Sequence, residues 1–164
     1  MQRTSRELRP GLAADCQIVS PTAEAYPAEA LILDSGALNA LAKRIERGFL
    51  ADRVRAILEV AMQRGGLVRV PAPVLAEVCR GPRFDAAVNH VLSSRGVRVE
   101  NLTESIARRA GALLAKAKLS STHAVDAFVV ATAGEFPSAV IATGDAGDIA
   151  RLAASFKRIR VFAI

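Results

Sequence analysis

Apolar and polar positions follow two rhythms along this chain. Short runs of three to six mainly apolar residues, bounded by polar residues, glycine or proline, predict strands. They are Ala30-Leu31-Ile32-Leu33, Leu67-Val68-Arg69-Val70, Val97-Arg98-Val99, Ser138-Ala139-Val140-Ile141-Ala142-Thr143 and Ile159-Arg160-Val161-Phe162-Ala163-Ile164. The first has three large apolar residues in succession and reads as a strand buried on both faces. Between the runs, apolar residues recur at helical spacing. Leu38, Leu41, Ala42 and Ile45 form one stripe, and Val54, Ile57, Leu58 and Ala61 another within a helix over 50–64. Gly65-Gly66 ends that helix. Pro73 suits the first position of the next, where its fixed φ helps and its missing N–H costs nothing; Val74, Leu75 and Val78 are its inner face. Helices are also predicted over 83–95, 103–118 and 149–156, and one follows Ser120-Ser121-Thr122, whose hydroxyls can cap it. Strands alternating with helices predict an α/β fold around a parallel sheet.

At 164 residues the chain suits one domain with a sizeable core. It is 51% hydrophobic but only 4% aromatic and has no Trp, so Ala, Val, Leu and Ile must build that core. The first 29 residues carry Arg3, Arg6 and Arg9 against Glu7, Asp15, Glu24 and Glu29, net −1, which leaves +7 of the chain's +6 on the remainder. They also hold Pro10, Gly11, Pro21 and Pro27 and show little periodicity, so residues 1–29 read as a poorly ordered extension and 30–164 as the folded domain. A basic body points to a polyanionic partner such as nucleic acid. Cys16 and Cys79 have no metal-ligand spacing; Cys79 reads as a small core residue in a helix, and reduced thiols imply a cytoplasmic setting. No apolar run reaches membrane-spanning length, so no membrane partner is expected.

Four carboxylates stand at comparable places. Asp34 and Asp145 follow the ends of the first and fourth strands, and Glu77 and Asp126 lie early in helices. Each has a structural alternative. Asp34 and Asp145 can be helix caps, and Glu77 a surface residue favoured in a first turn by the helix dipole. Asp126, flanked by Val125, Phe128, Val129 and Val130, is expected to be partly buried, which is costly for an unpaired carboxylate. In a parallel sheet all four positions fall along one edge, outside the carboxyl ends of the strands. Carboxylates ~4 Å apart repel by about 4 kcal/mol per pair at an effective dielectric of 20, so such a cluster wants protons or cations. Oxygen ligands without His or Cys favour Mg2+ or Mn2+. Cations held there can activate water and stabilise charge on a phosphate.

These residues resemble the PIN domain, and within it the VapC-type ribonuclease toxins of bacteria. The resemblance rests on Leu-Asp-Ser-Gly-Ala-Leu at 33–38, Pro-Val-Leu-Ala-Glu at 73–77, Val-Asp-Ala-Phe-Val-Val-Ala-Thr-Ala at 125–133 and Thr-Gly-Asp-Ala-Gly-Asp at 143–148. It implies a three-layer α/β/α sandwich with a five-stranded parallel sheet in the order 3-2-1-4-5. It also implies Mg2+- or Mn2+-dependent endonucleolytic cleavage of RNA, tRNA or rRNA included, by a homodimer held inactive by a small antitoxin protein. Carried over by position, Asp34, Glu77, Asp126 and Asp145 match the acidic quartet that binds metal and catalyses. Asp148 matches a further nearby acid, and Thr143 a hydroxyl that supports the loop.

Two positions depart from the family pattern. Many relatives place a hydroxyl two residues after the first Asp, where this chain has Gly36, with Ser35 as the compensating hydroxyl. Relatives often carry an Asp three residues before the third acid; His123 stands there and reads as solvent-facing or capping. Lys43, Arg44, Arg47, Arg80 and Arg83 follow closely on the acidic positions and are candidate RNA-phosphate contacts. The alternative is a PIN-like domain that binds RNA or protein without cutting. A nucleotide-binding α/β domain fits less well, because no Gly-x-Gly-x-x-Gly or Gly-Lys-[Ser/Thr] loop follows the first strand.

Overall fold

The computed structural model describes residues 29–43 and 48–164. Among them, β1 (Ala30–Leu33), β2 (Leu67–Pro71), β3 (Val97–Glu100), β4 (Ala139–Thr143) and β5 (Ile159–Ala163) form one sheet. Every neighbouring pair is parallel, and the order is β3-β2-β1-β4-β5. The helices are α1 (Ser35–Ala42), α2 (Gly48–Gln63), α3 (Ala72–Val78), α4 (Pro82–Leu92), α5 (Glu104–Ala117), α6 (Ala124–Ala133) and α7 (Ala146–Ala153). One layer gathers α1, α2 and α4; the other is α5, α6 and α7 packed on one another. The result is a three-layer α/β/α sandwich.

The core lies where the predicted apolar runs meet. All four residues of β1 are buried, as a central strand covered on both faces requires. Helix α6 buries Ala127, Val129, Val130, Ala131, Thr132 and Ala133, so it is enclosed almost all round, against α5, α7 and the sheet. Its small residues let it approach the strands closely. Pro71 closes β2 at its last position, where a missing N–H costs the ladder little.

Three boundaries differ from the sequence expectation for identifiable reasons. Helix α7 starts at Ala146 rather than at 149, because Asp145 accepts a hydrogen bond from the Asp148 N–H and caps the helix there. Helix α3 ends at Val78, and Cys79 is extended (φ −78°, ψ 110°) rather than helical; its thiol is half-buried against the core. Glu29, assigned to the extension, belongs to the domain: its side chain accepts from Ser138 Oγ and Arg160, and its carbonyl accepts from the Leu67 N–H. Residues 1–28, with Cys16, lie outside the described residues.

Candidate active site

The chain moves outward from β1 through β2 to β3, then returns to the other side of β1 for β4 and β5. The crossover reverses between β1 and β4, and in open parallel sheets the crevice outside such a switch point is where ligands bind. Asp34 stands at the end of β1 in that crevice and Asp145 just past the end of β4. The register sets Leu33 beside Ala142, which brings the two connecting loops together.

Asp34 is 6% exposed. Its Oδ1 accepts the Ala37 N–H at 2.7 Å, capping α1, and its Oδ2 accepts the Gly144 N–H at 3.1 Å from the β4–α7 loop. Burial pushes its carboxyl above the ordinary value, and the Thr143 hydroxyl and the N–H groups of Ala37, Gly144 and Gly36 pull it part of the way back. Thr143 supports the loop in a second way, since its Oγ1 accepts the Asp145 N–H at 2.9 Å. The same carboxylate therefore caps α1 and ties the β4–α7 loop to the end of β1.

Glu77 stands elsewhere in its helix than expected. It is the penultimate residue of the seven-residue α3, in the last turn and not the first. A carboxylate there opposes the helix dipole, so the dipole gives no structural reason for a glutamate at this position. Its side chain is exposed.

Asp126 lies in the first turn of α6 and is half-buried. Its carboxyl is pushed up to about 6, first by burial and then by the charges of Glu77, Asp145 and Asp34, with His123 opposing. One group thus feels the other three acids. The charges that act on Asp126 come from the ends of β1 and β4 and from α3, with the four acids scattered over 112 positions of sequence (34 to 145).

His123 is half-buried rather than solvent-facing, and it holds the N-cap position of α6 without capping through its side chain. It closes the 3-10 turn Ser121–His123 that leads into α6, and its side chain makes no cap hydrogen bond. Instead its Nδ1 lies 3.2 Å from Oδ2 of Asp148 and 3.7 Å from Oδ2 of Asp126. Asp148 is in the first turn of α7. Sequence reasoning missed this juxtaposition because the partner is 25 residues away (123 to 148) on another helix.

The donors in the crevice are carboxylate oxygens, crowded enough that Asp126 holds its proton to about pH 6. That chemistry suits a hard divalent cation. Among the described residues no three His, Cys, Asp or Glu side chains already close into a coordination cage. Like charges without a counter-ion hold apart; Glu77 is exposed at the end of α3, and Asp145, also exposed, is held by its cap bond to the Asp148 N–H.

The remaining candidates divide. No hydrogen bond from the Ser35 hydroxyl is found among the described residues. Lys43 Nζ sits 5.3 Å from the centre of the Phe84 ring, a cation–π contact between α1 and α4. Arg80 donates from Nε to the Glu77 carbonyl at 3.1 Å, and Arg83 is exposed on the first turn of α4. Arg44 and Arg47 lie outside the described residues. A cavity of about 340 Å³ lies at the opposite, amino end of the strands, between α2 and Leu31, Val140 and Phe162. It is mainly apolar, with Glu29, Arg64 and Arg160 also in its lining, and includes none of the four acids.

The comparisons agree with this architecture. A crystal structure of VapBC2 from Rickettsia felis bound to a DNA fragment from their promoter contains a chain of similar fold. The TM-score is 0.57 over 82% of this chain and 98% of that chain, with 13% identity, a level at which the likeness concerns the fold. No curated protein matches the sequence. The family model for the PIN domain matches residues 31–155, from β1 to just beyond α7, and so takes in all four acids of the crevice. The chain belongs to the PIN domain family.

Proposed function

We propose that this chain is a Mg2+- or Mn2+-dependent endoribonuclease and the toxin of a toxin–antitoxin pair. The observation that carries the reading is the effect of Glu77, Asp145 and Asp34 on Asp126 across the crevice at the β1/β4 switch point. Asp34, Glu77, Asp126 and Asp145 would hold the cation. When bound, it supplies an activated water and offsets charge on the scissile phosphate. Asp34, fixed by two backbone N–H groups and the Thr143 hydroxyl, sets the geometry of the site. Lys43, Arg80 and Arg83, with Arg44 and Arg47, meet RNA phosphates around it.

A small antitoxin belongs to the same reading. The Rickettsia felis structure is, by its name, a VapBC2 assembly on promoter DNA, and this chain covers 98% of the chain compared. Homodimerisation, a tRNA or rRNA substrate and a cytoplasmic site of action complete the proposal. The test is incubation of the purified protein with tRNA and rRNA in Mn2+ or in chelator, beside the Glu77→Gln and Asp145→Asn variants. Discrete fragments that require metal and vanish in both variants are expected. Cleavage that persists in chelator or in both variants overturns the metal-site reading, and RNA binding without any cleavage favours a non-catalytic domain.

A further inference from the structure

Resting on the ribonuclease reading above, we infer that Phe49 and Arg53 form a stacking platform for an unpaired base of the RNA, on the β5 side of the acidic crevice.

Phe49 is 74% exposed, more than any other large hydrophobic side chain among the described residues. It lies in the first turn of α2, and Arg53 follows it one turn later. The Arg53 guanidinium stands 5.9 Å from the centre of the Phe49 ring and 5.4 Å from that of Phe162 on β5. Its Nη2 also donates to the Ala163 carbonyl at 2.7 Å. Three contacts thus fix Arg53, and a planar cation beside an open ring is held with little rotamer freedom left to lose.

The platform belongs to the carboxyl edge of the sheet. The later part of α2, from Ile57 to Arg64, lines the cavity at the amino end of the strands together with Glu29 and Ala30, so its first turn lies at the opposite end. Ala163, which anchors Arg53, is in register with Thr143, the last residue of β4 before Gly144 and Asp145. Neighbouring strands lie about 4.8 Å apart, so that anchor is one strand spacing from the base of the loop that carries Asp145. A single strand with a phosphate in the crevice brings a flanking base to this rim.

The chemistry of the pair selects the ligand. Unstacked bases settle on aromatic rings and guanidinium planes, and the cation attracts the polyanionic strand as well. A protein partner would call for a contiguous apolar patch around the ring. Asp52 and Arg53, which share the Phe49 side of the helix, are instead charged and exposed.

Titration of the parent, Phe49→Ala, Phe49→Leu and Phe49→Trp in chelator, with a labelled single-stranded RNA and with its duplex, tests this without cleavage. Phe49→Ala and Phe49→Leu should each weaken the single strand about tenfold, within the range of one stacked base. The salt slope should not change, because no phosphate contact is lost. Phe49→Trp should hold the single strand as well or better, and the duplex, whose bases are already stacked, should bind all four proteins alike. An abasic residue at one position of the strand should cost the parent as much as Phe49→Ala does, and cost that variant little more. A Phe49→Leu affinity equal to the parent's, an equal loss on the duplex, or an abasic cost that is the same in parent and variant each overturn the platform. So does an effect confined to self-association in sedimentation, which would make Phe49 a protein contact. If Phe49→Ala fails to fold, the leucine and tryptophan variants decide. A parent that binds through Phe49 yet cleaves no RNA in Mn2+ keeps the platform and removes the nuclease reading, whereas a parent that binds no RNA overturns both.

Discussion

A Cβ added to Gly36 would lie 3.0 Å from the backbone nitrogen of Gly144 and 3.3 Å from Oδ1 of Asp34. The start of α1 and the loop after β4 touch backbone to backbone, and that contact carries the Gly144 N–H to Asp34. The glycine that departs from the family pattern is thus a packing requirement of this chain, not a missing hydroxyl. Gly36→Ala should push the loop away, destabilise the fold by about 1–3 kcal/mol as overpacking does, and reduce cleavage. Gly36→Ser should do no better although it restores the hydroxyl. Melting temperatures and cleavage rates of both variants check this; a serine variant that matches or exceeds the parent contradicts it.

Much of this architecture was legible in sequence, for physical reasons. The run Leu31-Ile32-Leu33 could only be a strand covered on both faces, and Asp34 and Asp145 follow strand ends in the order the motifs suggested. What was not legible depended on contacts between distant segments. The place of Glu77 in its helix turned on where α3 stops, and the stop is set by the extended Cys79 and by Gly81 at φ 106° rather than by any apolar stripe. His123 read as a lone histidine because Asp148 reaches it only through the packing of α7 on α6.

The buried Arg69 on β2 was equally hidden within an apolar run. Its Nε lies 2.5 Å from Glu100 Oε1 at the end of β3, close in distance though not aligned as a hydrogen bond, and it is 9% exposed. Removing one partner of a buried pair leaves an uncompensated charge, which is worse than replacing the charge itself. Glu100→Ala should therefore cost about 3 kcal/mol, and Arg69→Met clearly less. Chemical denaturation of the two variants distinguishes them, and equal losses would mean the pair is not what holds β2 to β3 there.

Arg80 and Arg83 flank the Glu77 end of the crevice on exposed positions. If they neutralise phosphates, single-stranded RNA binding should weaken with salt at a slope near −0.7 per phosphate contacted. Charge reversal at both should lower affinity and flatten that slope. Unchanged affinity and slope would leave them as solvated surface.

The pH dependence of stability has a definite sign. The Asp126 carboxyl is raised from 3.8 to about 6 in the folded chain, so the fold is favoured when it is protonated. That contribution is full below about pH 4 and is lost as pH rises through about 6. Two pK units correspond to about 3 kcal/mol, which solvent on the open side of the site reduces to about 1–2 kcal/mol. In chelator, Asp126→Asn should be more stable than the parent at pH 7.5, and the gap should close by pH 4. A gap independent of pH would show that Asp126 is not under strain from its neighbours.

The most direct test of the metal site is the melting temperature of the parent and of Asp126→Asn at pH 7.5, in chelator and in excess Mn2+. A carboxylate crowded by Glu77, Asp145 and Asp34 is a liability without a cation and a ligand with one. The asparagine variant should melt no lower than the parent in chelator. Mn2+ should raise the parent by mass action and the variant much less. A variant that loses about 1–3 kcal/mol in chelator, as a broken buried hydrogen bond would cost, while gaining as much from Mn2+ as the parent does, would contradict the site.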